Sequence, residues 1–317
     1  MRYRPFGKTG LEVSEVGFGA WAIGGTSYGA TEDRVSIQAL KKALDLGVNF
    51  FDTADTYGNG HSEELIGKTF EKIRKDVIIA TKGGWDFYHS KERVKDMSDS
   101  YLKEALHQSL TRLRTDHVDL YQLHNPDLKT IRGGKIYKTL EQFKREGKAR
   151  FIGISIHEVE EAKEVILSGK VDAIQLVYNM IEQEVQFEIL PLAKQKGVAV
   201  IAREPLACGF LTGKYTKESV FGEKDHRKRW TKEELKEDLE KVGKVTFIAA
   251  RHKISLVQAA LKFVLSRGEI STVIPGGKSP EQVEENVRSV SDGYLNKQDI
   301  NELYQIFEKE CHDSQMR

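Results

Sequence analysis

No stretch of this 317-residue chain approaches the roughly 18 apolar residues of a membrane span. Its opening, MRYRPFGKTG, has no apolar signal core. These absences lead us to expect neither a membrane segment nor secretion. Cysteine is nearly missing. Cys208 and Cys311 cannot build a disulfide framework, and so small a number suits a reducing, cytoplasmic setting. Excess charge of either sign is missing too. Lys plus Arg number 49 and Asp plus Glu 48, a formal net charge of +1, which gives no reason to expect a nucleic-acid or membrane partner. The one basic run, EKDHRKRW at 223–230, contains acids and reads as a solvated loop. Nine histidines are present, but no H-E-x-x-H or similar spacing occurs, so no metal is expected. No low-complexity linker divides the chain, which makes one domain over 1–317 the simplest organisation.

Short apolar runs alternate instead with amphipathic stretches. EVGFGAW, NFFDTAD, VIIATKGG, HVDLYQLHN, RFIGISI, AIQLVYN, VAVIARE and TVIPGG read as strands. The helical stretches that follow them fall near 32–46, 62–73, 98–114, 134–147, 158–168, 185–196, 245–267 and 280–290. Ser62 sits where a helix N-cap is expected, and Gly47, Gly147, Gly169 and Gly197 where helices should stop. Strands this apolar leave no face for water, which argues for a parallel sheet covered by helices. Eight such units close an α/β fold of the (β/α)8 TIM-barrel type. The opening RYRPFGKTGLEVS stands outside the repeat. It reads as a hairpin turning at GKTG and plugging the N-terminal end of the barrel. Residues 209–240 form a long insertion after strand seven, and 297–310 an extra C-terminal helix.

In such a barrel the chemistry belongs at the C-terminal ends of the strands. Strand two ends with Asp52, followed in its loop by Tyr57; strand three ends with Lys82; strand four ends with His124. Alone, each has a plainer use: a cap, a packing tyrosine, a Schiff-base or surface lysine, a core histidine. Together they place a carboxylate, a phenol, an ammonium and an imidazole on consecutive strands. An ammonium favours the phenolate and lowers a tyrosine pKa, while a carboxylate keeps the lysine charged despite burial. The product is a phenol able to give a proton to an oxygen.

These residues carry a resemblance. GKTGLEVSEVGFGAW, FFDTADTYG, ATKGG, DLYQLHNPD, IQLVYN, PLACGFLTGKY and VIPGGKSPEQVEENV resemble the signatures of the aldo-keto reductase superfamily over nearly the whole chain. The resemblance implies a barrel that uses NADPH to reduce an aldehyde or ketone. It assigns Tyr57 as general acid, Lys82 as the group that tunes it, Asp52 as the partner of Lys82, and His124 as the residue that orients the carbonyl.

One segment is a decoy. GFGAWA at 17–22 matches G-x-G-x-x-A, but a loop follows it rather than a helix start. The resemblance makes it the first rim loop, with Gly19, Ala20 and Trp21 near nicotinamide and substrate. The better phosphate site is VIPGGKSPEQVEEN, where a strand runs through glycines into a helix N-terminus. There the resemblance assigns Gly276, Lys278, Ser279, Gln282, Glu285 and Asn286 to the adenosine and 2′-phosphate. Ser155 and Gln175 would hold the carboxamide. Glu204, Pro205, Leu206, Cys208, Gly209, Leu211 and Gly213 would wrap the pyrophosphate.

Two positions depart from the family pattern. Arg203 stands where many members have an aromatic residue under the nicotinamide, and a cation there should weaken binding of the oxidised ring. Ile156 stands where many have an asparagine. For substrate, Trp21, Tyr57, Trp85, Phe87, His124 and Asn125, with Tyr88, form an expected wall that is partly apolar. PLACGFLTGKY also resembles the β-subunits of voltage-gated potassium channels, so a cofactor-sensing regulatory subunit is the alternative reading. A barrel aldolase using Lys82 as a Schiff base is a third, disfavoured because Asp52 would keep Lys82 protonated.

Overall fold

Eight parallel strands form the centre of the molecule: β1 (Phe18–Gly19), β2 (Phe50–Asp52), β3 (Ile78–Gly83), β4 (Val118–His124), β5 (Ala149–Ser155), β6 (Ala173–Val177), β7 (Ala199–Arg203) and β8 (Thr272–Val273). They are hydrogen-bonded in sequence order. Parallel bridges from Val16 to Val273 and from Gly19 to Gly276 join the first strand to the last and close the barrel. Each of the eight apolar runs falls on one of these strands, the fifth strand starting one residue before its run. The structure is a computed structural model describing residues 1–89 and 92–315, with side chains as far as Glu308, so the Cys311 side chain lies outside the described residues.

Alternation along each strand sets the interior. Phe50, Ala80, Leu120 and Ala173 belong to one buried apolar cluster with Phe6, Val13, Ala199, Ile201 and Ile274. Two residues further along the same strands stand Asp52, Lys82, Gln122 and Gln175, all buried and polar. One step of the pleat takes the barrel interior from hydrocarbon to hydrogen-bonding groups.

The opening hairpin is present, Tyr3–Pro5 pairing antiparallel with Glu12–Ser14. Its turn runs through Gly7 and Gly10 at φ 55° and 79°. A Cβ on Gly7 would lie 2.6 Å from Ala199 N and Gly197 O, so only glycine lets the turn seat against the barrel. Phe6 fills the N-terminal end, a burial worth about 1.5–3 kcal/mol. Arg4 latches this hairpin to residues 265–270. Its guanidinium donates to Leu265 O (2.6 Å), Arg267 O (2.9 Å) and Ile270 O (2.9 Å) and pairs with Glu15 (2.8 Å).

Helices lie where the amphipathic stretches place them, with three differences. The stretch 245–267 is two helices, Lys232–His252 and Leu256–Leu265. Lys253 breaks them at φ 53°, and Ser255 with Gln258 forms a capping box that restarts the helix. The first of these helices also takes up the end of the expected 209–240 insertion. Ser62 is not an N-cap: Gly60 holds that position, and the Ser62 hydroxyl lies 2.9 Å from both Thr53 Oγ1 and Ala20 O. Gly47, Gly147, Gly169 and Gly197 do end helices, each with positive φ. The C-terminal helix spans Lys297–Gln315. Among the described residues no helix is long and apolar enough to cross a membrane.

Candidate active site

The C-terminal rim opens into a cavity of about 510 Å³. At its base the Lys82 ammonium donates to Asp52 Oδ1 (2.6 Å), Thr53 O (2.8 Å) and the Tyr57 hydroxyl (3.3 Å). Asp52 Oδ2 accepts from Gln175 Nε2 (2.8 Å) and Gln122 Nε2 (3.1 Å). A buried ion pair costs desolvation unless its remaining lone pairs are met, and here neighbouring strands meet them. Lys82 and Asp52 are both almost fully buried, and Tyr57 caps them where the cavity begins.

Burial works to lower the Lys82 pKa, but Asp52 and then Tyr57 outweigh it, and the lysine is held above its usual value. Tyr57 behaves differently from the sequence expectation. Burial raises the phenol above its ordinary value, Asp52 adds to this, and the opposing Lys82 charge does not overcome them. The phenol is therefore protonated at neutral pH, as a proton donor must be. Burial, then the Lys82 and Arg203 cations, push His124 well below the usual imidazole range. A neutral ring can offer one N–H to an acceptor in the cavity. Its ring lies 6.1 Å from that of Tyr57, edge to face. The Trp21 ring stacks on Tyr57 at 5.9 Å, and the Trp85 indole N–H donates to His124 O at 2.9 Å.

The cavity lining brings together Gly19, Ala20, Trp21, Asp52, Tyr57, Trp85, His124, Asn125, Ser155, Gln175, Arg203, Glu204, Pro205, Leu206, Cys208, Gly209, Gly276, Lys278, Gln282, Glu285 and Asn286. The remaining assigned residues stand outside it. Leu211 is buried in the core, Gly213 ends a short helical turn at φ 71°, and Ser279 caps the helix Pro280–Arg288 by accepting from Gln282 N. Phe87 stacks on Tyr88 at 4.2 Å, and neither ring lines the cavity. Of the expected aromatic wall, Trp21, Tyr57 and Trp85 line the cavity. Tyr88 turns away because its hydroxyl accepts from Arg112, which also pairs with the buried Glu63 (2.7 Å).

After β7 the backbone is unusual. Glu204, Ala207 and Cys208 have φ of 53°, 45° and 51°, and Gly209 96°. Runs of this kind turn backbone N–H groups to one side and make anion-binding concavities. Opposite lies the Pro280–Arg288 helix N-terminus, with Lys278 Nζ donating to Tyr28 O at 2.7 Å. Arg203 is not free. It pairs with Glu204 and donates to His157 Nδ1 at 2.8 Å, while Ile156 is buried behind it. Burial and then Arg203 push His157 down to about 4. Burial and then Glu204 raise the Cys208 thiol well above its usual value, which leaves it unreactive.

Sequence reasoning missed the lining contributed by Tyr28, Arg93, His157, Arg227 and Arg229. The run EKDHRKRW is not simply solvated. Arg227 is buried, pairs with Asp225 at 2.7 Å, donates to Cys208 O at 3.0 Å and lies 5.0 Å over the Tyr28 ring. The signal available was a D-x-R triplet close in sequence to Tyr215, Phe221 and Trp230. Asp55 lies between Asp52 and Tyr57 and takes no part in the Lys82 contacts. It is fully buried, with neither carboxylate oxygen partnered among the described residues. Burial, then the Glu63 charge, hold it protonated well above the carboxylate range.

Comparison with known proteins agrees with this geometry. A family model described as the aldo/keto reductase family matches residues 15–308. The chain is 32% identical over 319 residues to the aldo-keto reductase YhdN of Bacillus subtilis, covering 99% of this chain and 96% of that protein. It is 31% identical to a probable voltage-gated potassium channel subunit beta of Arabidopsis thaliana, covering 92% and 91%. The holo form of aldo-keto reductase AKR11C1 from Bacillus halodurans superposes with a TM-score of 0.82 at 29% identity, covering 96% of each chain.

Proposed function

The chain belongs to the aldo/keto reductase family of oxidoreductases, and from that premise we propose that it is an NADPH-dependent reductase of aldehydes or ketones with Tyr57 as proton donor. The observation that carries this reading is the Lys82 ammonium bound at once to Asp52 and the Tyr57 hydroxyl at the base of the cavity. When bound, the reduced nicotinamide supplies the hydride to the carbonyl carbon. The protein's part is to position and to protonate. His124 and Tyr57 hold the carbonyl oxygen, and Tyr57 gives it the phenolic proton. The adjacent Lys82 charge stabilises the phenolate left behind.

The residues present fit such a cofactor. The segment 204–209, with positive φ at Glu204, Ala207, Cys208 and Gly209, suits a pyrophosphate, and Lys278 with the helix beginning at Pro280 suits a 2′-phosphate. Arg227 lines the same groove. Ser155 lies in the lining, and Gln175, whose amide N–H groups are taken by Asp52 and Gln122, keeps its oxygen for a carboxamide N–H. Glu204 matches the Arg203 charge, which reduces the penalty first expected for an oxidised ring. The same reading treats 1–317 as one catalytic unit acting in the cytoplasm on small carbonyl compounds.

The test is oxidation of NADPH and of NADH, followed by nicotinamide absorbance, with aromatic and aliphatic aldehydes. Turnover should favour NADPH, and Lys278→Met should raise the KM for NADPH about tenfold with little change for NADH. Tight NADPH binding without turnover of any carbonyl would sink the reading. It would favour the second one, a cofactor-binding regulatory subunit, for which similarity to the Arabidopsis channel subunit is the observation.

A further inference from the structure

We propose that the carbonyl compound reduced at this site carries an anionic group, a carboxylate or a phosphate, and that Arg93 binds it. The proposal rests on the reductase reading above and names the substrate class. Arg93 lies in the loop after β3 and reaches back over the cavity. One nitrogen, Nη2, donates to Thr56 O and to Asn59 Oδ1, both at 2.8 Å. Those two acceptors fasten the guanidinium beside Tyr57 and leave its other N–H groups for a ligand. The side chain lines the cavity with Trp85, Tyr57 and His124.

Charge balance divides the cations in and beneath the cavity into matched and unmatched, and of the unmatched Arg93 is the one fastened beside Tyr57. Lys82 is matched by Asp52, Arg203 by Glu204 and Arg227 by Asp225. Arg93 has no acid within ion-pairing distance among the described residues, and neither have Lys214 and Arg229, which also line the cavity. The acid nearest in sequence to its anchoring loop, Asp55, is buried and held protonated, so it does not neutralise the guanidinium. Lys278 is unmatched too, but it faces the proposed 2′-phosphate. Arg93 stands at the exposed rim of the cavity, where its remaining N–H groups meet only water when the substrate is neutral. An anionic one gives it a forked, charge-assisted pair. The anion would sit beside the Trp85 ring, with the carbonyl reaching inward to Tyr57 and His124.

The experiment compares matched pairs: 4-carboxybenzaldehyde against 4-methylbenzaldehyde, and glyceraldehyde 3-phosphate against glyceraldehyde. The anionic member of at least one pair should have the higher kcat/KM by about tenfold, and the pair that shows it identifies carboxylate or phosphate. In Arg93→Gln that ratio should fall to near one, and Arg93→Lys should restore part of it. Calorimetric titration with benzoate gives a second readout, with binding expected in the parent protein and lost in Arg93→Gln. Equal rates within both pairs, or a preference that survives Arg93→Gln, would overturn the proposal. If no carbonyl is reduced, the reductase reading fails; benzoate binding lost on Arg93→Gln would then still support the anion site, and no benzoate binding would refute it.

Discussion

The two ends of the barrel are built from the same strands and answer opposite demands. At the N-terminal end Phe50, Ala80, Leu120 and Ala173 meet Phe6 and Val13 of the hairpin, and the contact is hydrocarbon throughout. Two residues on, Asp52, Lys82, Gln122 and Gln175 occupy an equally buried layer that holds only because each polar group finds another. Packing at one end tolerates any group of the right volume. The other end needs particular atoms at particular distances, and a single missing partner would strand a charge. Stability and chemistry are thus separated along the barrel axis by about one pleat repeat, roughly 7 Å.

Substitutions can test that separation. Tyr57→Phe keeps the ring and removes only the hydroxyl at 3.3 Å from Lys82. It should cut carbonyl reduction by about 10²–10⁴-fold while the urea midpoint and NADPH affinity, read by fluorescence titration, stay near those of the parent. Turnover close to the parent's would remove Tyr57 from the proton-donor role. Phe6→Ala should do the reverse. It should lower the unfolding free energy by about 3–5 kcal/mol in urea titrations and leave kcat per folded molecule unchanged. A large loss of kcat would mean that the two ends are mechanically coupled.

The smallest expected effect comes from Asp55, below the rim. Its carboxyl is protonated in the folded chain by burial, whereas the unfolded chain releases that proton above about pH 3.9. The folded state then binds the extra proton. This contribution to stability is therefore full below the unfolded value and is lost as pH rises through the folded one. Asp55→Asn removes that dependence. Melting temperature should rise by a few degrees near neutral pH, with the gain shrinking as pH approaches about 4. A variant less stable at neutral pH would show that the carboxylate is ionised and partnered.

The eight strands, the hairpin and the four rim residues were legible because each leaves a local mark: an apolar run, a G-K-T-G turn, an ionisable group where such a run ends. The break near Lys253 was legible as well, in the S-x-x-Q box from Ser255 to Gln258, but the continuous amphipathic period from 245 obscured it. Arg93 left no such mark, and Arg227 left only a D-x-R triplet near aromatic residues. Each reaches the cavity because a loop folds back over the rim, and no periodicity within a loop states where it returns. Phe87 and Tyr88 show the converse. Both lie on the loop after β3, yet Arg112, far along the chain, draws Tyr88 away from the cavity. Ser62 was misread because its tertiary partners, Thr53 and Ala20, outcompete the local cap.

The Arg4 latch has a consequence for how the protein is made. The hairpin leaves the ribosome long before the carbonyls that hold it, at Leu265, Arg267 and Ile270, and before the strand that closes the barrel, at Val273. Until then Phe6 and Val13 have an incomplete floor to cover, and the β1 edge has no neighbour from β8. Vectorial synthesis therefore does not let this barrel close as its first strands emerge, and the nascent chain carries an open sheet edge until Val273 has been made.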